Sequence, residues 1–124
     1  MYPPSEVSYD AGELNWFGDY KPQIIFENGY TIRYQDDGNL TVYDDNDEAV
    51  TTMGKQESAP LADLKLHFQE DGNLVAYNKD EAYWHTYTNP SRKAARLICK
   101  QDAPYMLLLD ENDNQVWCLT EENP

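Results

Sequence analysis

The chain is poor in cysteine, in basic residues and in long apolar runs. Its two cysteines, Cys99 and Cys118, lie 19 positions apart without further ligands at metal spacing, so neither a disulfide framework nor a zinc site is indicated. Two buried free thiols are the plainer reading, and a single disulfide stays open. Lys and Arg number 9 against 23 Asp and Glu, and the resulting net charge of -14 would repel phosphate backbones and anionic headgroups. No nucleic acid partner is expected. Nothing approaches the roughly 20 apolar residues of a membrane-spanning helix, so no membrane insertion is expected either. The opening Met1-Tyr2-Pro3-Pro4-Ser5-Glu6-Val7 has no basic stretch followed by an apolar one, which predicts a protein that is cytoplasmic or released without a signal peptide. The acids are scattered among apolar and aromatic residues rather than gathered in a tail, a globular pattern, and 124 residues suit a single domain spanning 1-124.

What the sequence does contain is a repeat, and a repeat governs every later assignment. Gln35-Asp36-Asp37-Gly38-Asn39-Leu40-Thr41-Val42-Tyr43 is matched 34 residues later by Gln69-Glu70-Asp71-Gly72-Asn73-Leu74-Val75-Ala76-Tyr77. A third, eroded copy follows after another 32 as Gln101-Asp102-Ala103-Pro104-Tyr105-Met106-Leu107-Leu108-Leu109. The repeats span about 24-54, 61-89 and 95-120, preceded by an N-terminal segment 1-23. In the first two copies apolar side chains occupy even positions (Ile32, Tyr34, Leu40, Val42; Leu64, Leu66, Phe68, Leu74, Ala76) and most polar ones odd positions. That is the period of a half-buried strand, with the motif facing outward. Parity survives a hairpin only if the loop is odd-numbered, which predicts Gln35 roughly opposite Thr41 and Gln69 opposite Val75. Each copy then forms a three- or four-stranded antiparallel sheet with one greasy face, and three such sheets around a common axis can bury those faces together. Trp84 and Trp117 are the expected axial filling, with Val50 in the third place.

The pattern Gln-x-Asp-x-Asn-x-Val-x-Tyr, complete at Gln69, Asp71, Asn73, Val75 and Tyr77, resembles that of the bulb-type mannose-binding lectins first known from monocot plants. The resemblance runs from about Asn28 to Thr120 and includes the Gly-Asn-Leu-Val-x-Tyr context and Tyr83-Trp84. It implies an all-β, β-prism II fold, three antiparallel sheets around a pseudo-threefold axis, each with a shallow metal-free monosaccharide site. Carried over, Asp71 and Asn73 would bond the axial 2-hydroxyl of mannose, Gln69 the 3-hydroxyl and Tyr77 the 4-hydroxyl, while Val75 packs on the ring edge. Copy one keeps Gln35, Asp37, Asn39 and Tyr43 but has Thr41 for Val, so a weaker site is expected there. Copy three keeps only Gln101 and is expected to be dead. The implied partners are mannose or mannose-containing glycans, with no cofactor and no metal. Leu97, Tyr105, Leu107 and Leu109 are then expected on the outward face of copy three, a cluster calling for a cover. The candidates are the N-terminal segment carrying Trp16 and Phe17, or a second subunit in a homodimer.

Other chemistries fit less well. Asp44-Asp45-Asn46-Asp47-Glu48 has the oxygens of a calcium loop, yet the same place holds Asn78-Lys79-Asp80-Glu81 and Asp110-Glu111-Asn112-Asp113-Asn114 in the other copies, which marks a recurring hairpin turn. His67 is expected beside the motif face. Neighbouring carboxylates such as Glu70 and Asp71 point to opposite faces of a strand and cannot flank one glycosidic bond, so no enzyme is expected. The alternative to a lectin is a non-catalytic protein-interaction, toxin or bacteriocin-like module that reuses the lectin fold.

Overall fold

The computed structural model describes residues 3–20, 22–35, 38–53, 61–86, 88 and 93–119. Among these are twelve strands: β1 (Glu6–Asp10), β2 (Leu14–Phe17), β3 (Gln23–Ile25), β4 (Thr31–Tyr34), β5 (Leu40–Tyr43), β6 (Ala49–Met53), β7 (Leu64–Phe68), β8 (Leu74–Asn78), β9 (Glu81–His85), β10 (Arg96–Lys100), β11 (Met106–Leu109) and β12 (Gln115–Cys118). They form three four-stranded antiparallel sheets in the orders β3-β4-β5-β6, β2-β7-β8-β9 and β1-β10-β11-β12, about a pseudo-threefold axis. One core joins them, with Ile32 and Val42 from the first sheet, Leu66 and Phe68 from the second, and Leu97 and Leu108 from the third.

The N-terminal segment does not stand apart from the repeats; it supplies an edge strand to the third and second sheets and runs into that of the first at Gln23. Each repeat alone makes three strands and leaves one raw edge of unpaired amides and carbonyls. The segment and the residues that follow it close those edges in turn: β1 pairs with β10, β2 with β7 and β3 with β4. Trp16 and Phe17 therefore lie in the second sheet, opposite Leu66 and Lys65, and do not form a lid on copy three.

Parity holds in the first two copies. Ile32 pairs with Val42 and Leu66 with Ala76, all four buried. The pairing is two residues tighter than expected, however. The Gln35 amide donates to the Asn39 carbonyl (3.0 Å) and Gln69 to Asn73 (2.9 Å), enclosing an odd, three-residue turn. Gly72 closes its turn at φ +88, and a Cβ there would sit 2.6 Å from the Ala94 carbonyl oxygen. Both the backbone conformation and the space demand glycine.

Copy three departs from the pattern. Its turn is one residue longer, with the Lys100 amide bonded to the Tyr105 carbonyl (2.7 Å), so Leu97 pairs with Leu108, Ile98 with Leu107 and Cys99 with Met106. An even-numbered turn reverses the facing of β10 relative to β11. Leu97 is fully buried in the core rather than outward, and Ile98 takes the outward place beside Leu107. The same register puts Cys99 on the inner face and Cys118, opposite Leu107, on the outer one. Both are buried free thiols on opposite sides of one sheet, which removes the disulfide alternative. Burial pushes the Cys99 thiol up to about 12.

A second correction concerns the axis. Trp84 and Trp117 do meet, edge to face with ring centroids 6.1 Å apart. Val50 does not join them and is 43% exposed. The last strand pairing of each sheet has an irregularity, after which Val42 pairs with Thr51, Ala76 with Trp84 and Leu108 with Trp117. Val50 is the extra residue of a bulge, and Thr51 holds the place equivalent to the tryptophans.

Candidate functional site

On the second sheet, the register lines up odd-numbered residues across three strands: Lys65 with Tyr77, and His67 with Val75 and then His85. The Tyr77 hydroxyl donates to Gln69 Oε1 (2.8 Å) and lies 3.0 Å from Gln69 Nε2. Asp71 Oδ1 accepts the Asn73 backbone amide (2.9 Å), which folds the turn so that its carboxylate stands at the mouth. The Asn73 side chain is buried and fixed from both ends: Oδ1 accepts from Thr86 Oγ1 (3.1 Å) and Nδ2 donates to His85 Nδ1 (3.1 Å). Thr88 Oγ1 in turn donates to the Gly72 carbonyl (2.6 Å). The motif face is thus held rigid by hydrogen bonds beneath it, the condition for matching a ligand with fixed hydroxyls.

Four of the five predicted residues in this copy, Gln69, Asp71, Asn73 and Tyr77, are brought together around the turn. Val75 lies deeper, only 3% exposed between His67 and His85. An open cleft of about 480 Å³ is lined by Gly12, Lys65, His67, Gln69, Asp71 and Tyr77, with Glu70 at its edge. Burial, and then the Asp71 charge, raise the Tyr77 phenol, keeping it a protonated donor. Burial, followed by the Lys65 charge, lowers His67 below its ordinary value, so the cleft holds a neutral imidazole near pH 7. The Lys65 ammonium sits 5.2 Å from the Tyr77 ring centroid. The motif alone did not single out Lys65, His85, Thr86 or Thr88. Strand parity on β7 and β9 would have pointed to Lys65 and His85.

Copy one has the same Tyr43 to Gln35 bond (2.8 Å), with Asn39 half-buried above the turn. Asp37 lies outside the described residues. Thr41 is buried, and its hydroxyl meets Thr52 Oγ1 at 2.8 Å, so it is engaged within the sheet. Arg33, in the place of His67, lays its guanidinium 4.3 Å from the Tyr43 ring centroid and is pinned there by Asp47 (2.5 Å). The Tyr43 ring of copy one therefore lies under a cation held in place by an ion pair, closer than Lys65 stands to the Tyr77 ring in copy two. The turn beneath it is held from the second sheet: the Tyr83 hydroxyl donates to the Gly38 carbonyl (2.8 Å) and accepts from the buried Tyr34 hydroxyl (2.8 Å).

Copy three has no polar array. Gln101 Oε1 accepts the Asn28 amide (3.1 Å), a structural tie, and Tyr105 stacks on Tyr30 with centroids 6.2 Å apart. Ile98, Leu107 and Leu109 occupy its outward face. The acidic run after copy one is a hairpin turn, as expected: Asp44 Oδ1 accepts the amides of Asn46 (2.9 Å) and Glu48 (3.0 Å), and Asp110 does the same for Asn112 and Asn114. Among the described residues no group of three or more His, Cys, Asp or Glu is placed to hold a metal ion.

Compared by sequence, the chain matches no protein-family model and no curated protein. Compared by structure, it is similar to a monomeric monocot mannose-binding lectin from Gastrodia elata, at 26% identity and a TM-score of 0.61 over 97% of this chain and 99% of that one. A lectin of Marasmius oreades matches at 19% identity and a TM-score of 0.62, covering 97% and 96%. The Polygonatum cyrtonema lectin, solved with monomannoside, matches at 18% and 0.60, covering 95% and 97%. These neighbours are lectins rather than enzymes, and the fold is β-prism II.

Proposed function

We propose, from the premise that this chain shares the β-prism II fold of the bulb-type mannose-binding lectins, that it binds mannose or mannose-containing glycans, without metal, chiefly at Gln69 to Tyr77. The observation that carries this reading is the open cleft lined by Gln69, Asp71 and Tyr77, with the buried Asn73 fixed beneath the turn by Thr86 and His85. A pyranose offers hydroxyls at fixed spacing, and a carboxylate acceptor, an amide and a phenol on one sheet can answer them. A few such bonds at about 1 to 2 kcal/mol each, less the ordering cost, leave about -4 kcal/mol, or roughly millimolar affinity. Copy one, under Arg33, is the weaker site.

The test is an NMR titration with methyl mannoside. The Asn73 and Tyr77 resonances are expected to move and saturate, and Asp71→Ala is expected to abolish the effect. Absence of any shift at about 50 mM sugar, well above a millimolar Kd, would remove the lectin reading. The half-buried Leu107 and Leu109 on the outward face of copy three, beside a buried Ile98, favour a second reading, a protein-interaction surface of the toxin or bacteriocin-like kind or the seam of a homodimer. Sedimentation showing a concentration-dependent dimer lost in Leu107→Glu would support the homodimer.

A further inference from the structure

The edge strand supplied to the second sheet carries a feature that the sugar motif does not use. Trp16 turns inward, opposite Leu66, whereas Asn15 and Phe17 face outward, opposite His67 and Lys65. Phe17 is 42% exposed, and Tyr20, in the short 3-10 turn that follows, is 80% exposed. Their rings meet edge to face, 6.2 Å between centroids. Two large aromatic side chains thus remain in water, Phe17 on the outward face of the sheet that carries the polar cleft and Tyr20 against its ring. Lys65 is their common border: it faces Phe17 on one side and Tyr77 on the other. Two strand spacings separate Phe17 from Tyr77, about 10 Å.

We infer that Phe17 and Tyr20, with Asn15 and Lys65, form a second subsite that takes the adjoining sugar residue of a glycan whose neighbouring unit sits at Gln69 to Tyr77. This rests on the reading of that motif as a sugar site and deepens it: the adjoining unit is held by β2 and the turn after it, outside the motif. A pyranose ring has a C–H face that packs on the electron-rich face of an aromatic ring, and its remaining hydroxyls need polar partners at the rim. Phe17 and Tyr20 supply the first; the Asn15 amide and the Lys65 ammonium supply the second. Lys65 is a wall of the cleft and pairs with Phe17 across the strands, so the aromatic pair borders the cleft rather than opening a separate surface. A protein partner would also value exposed aromatics, but the continuity with a hydroxyl-matching cleft favours a glycan.

The experiment compares methyl mannoside with α-linked mannobioses and a mannotriose by calorimetry, on the full chain and on the Phe17→Leu/Tyr20→Ala double variant. Leucine keeps apolar packing on β2 while removing the ring, and Tyr20 is exposed enough to be truncated without cost to the core; thermal melts check both. In the parent chain the best oligosaccharide is expected to bind about tenfold more tightly than methyl mannoside, and in the variant that ratio is expected to fall towards one. Equal affinity for mono- and oligosaccharide in the parent, or a ratio unchanged in the variant, overturns the subsite and leaves the Gln69 to Tyr77 reading standing. Failure of every mannoside to bind the parent chain overturns both.

Discussion

Replacing Tyr83 by Phe removes one oxygen and leaves two buried groups without their partner. The Tyr83 hydroxyl donates to the Gly38 carbonyl and accepts from Tyr34, each at 2.8 Å, and Tyr34 is only 3% exposed. Losing a typical hydrogen bond costs about 1 kcal/mol, while stranding a buried polar group costs about 1 to 3, so Tyr83→Phe is expected to destabilise the fold by about 2 to 4 kcal/mol. For a chain of this size that lowers Tm by roughly 10 °C. Tyr34→Phe should cost less, about 1 kcal/mol, because Tyr83 keeps the Gly38 carbonyl. The double variant should lie close to Tyr83→Phe alone, a coupling of about 1 kcal/mol in the cycle. Urea unfolding followed by tryptophan fluorescence measures all four proteins. The pH dependence gives a second reading. Burial, then the bond to Tyr83, raise the Tyr34 phenol above the value of 10.0 that it regains on unfolding. Its contribution is therefore complete below pH 10 and is lost as pH climbs above that point, so the parent chain should weaken in alkali more steeply than Tyr34→Phe. A Tyr83→Phe protein within about 0.5 kcal/mol of the parent would refute the claim that this hydroxyl ties the second sheet to the first copy's turn.

Three further substitutions probe the motif turns and their covers. Arg33→Ala frees the Tyr43 ring of copy one, and is expected to add a second, weak mannoside response in the same NMR titration, at Tyr43, with a loss of stability below about 1 kcal/mol because the Asp47 end of the ion pair is exposed. An unchanged Tyr43 resonance would show that Thr41, and not Arg33, disables the copy. Gly72→Ala forces a Cβ to within 2.6 Å of the Ala94 carbonyl in a left-handed conformation. It is expected to cost more than about 2 kcal/mol in urea unfolding and to dislodge Asn73, whereas Asn73→Ala should keep the turn.

The sequence carried the inward and outward faces of the first two copies because Ile32 to Val42 and Leu64 to Ala76 alternate without interruption on both sides of an odd turn. It also carried the grouping of Gln69, Asp71 and Tyr77, since an odd-numbered turn keeps parity from one strand of the hairpin to the next. What it did not carry was set by single-residue events. One extra residue in the copy-three turn reversed Leu97 and Ile98, and the bulge on the last strand of each sheet falls at Val50 as it does at Tyr83 and Val116, so that Thr51 pairs where the tryptophans pair. Neither leaves a mark in local composition, because bulges and turn lengths are fixed by what the partner strand requires. The covering of copy one was equally hidden: Arg33 reads as an ordinary outward polar residue until the register sets it across from Thr41 and over Tyr43. The destinations of β1 and β2 are non-local choices, and the alternation of Val7, Tyr9, Leu14 and Trp16 says that they are strands without saying whose.

Those destinations have a bearing on how the chain is made. A ribosome delivers β1 long before β10, yet Glu6 has to find Lys100 and Asp10 has to find Arg96. Until the third repeat has emerged, the first strand has no edge to join, and the inner faces of the two earlier sheets have no third wall. The first sheet can assemble almost in step with synthesis, from β3 to β6, and the second must hold β2 in reserve past the whole of the first. Closing such distant pairings is slow compared with closing hairpins, and the waiting edges are open to other chains in the meantime. On this topology β1, although made before β10, cannot join its sheet until the third repeat has emerged.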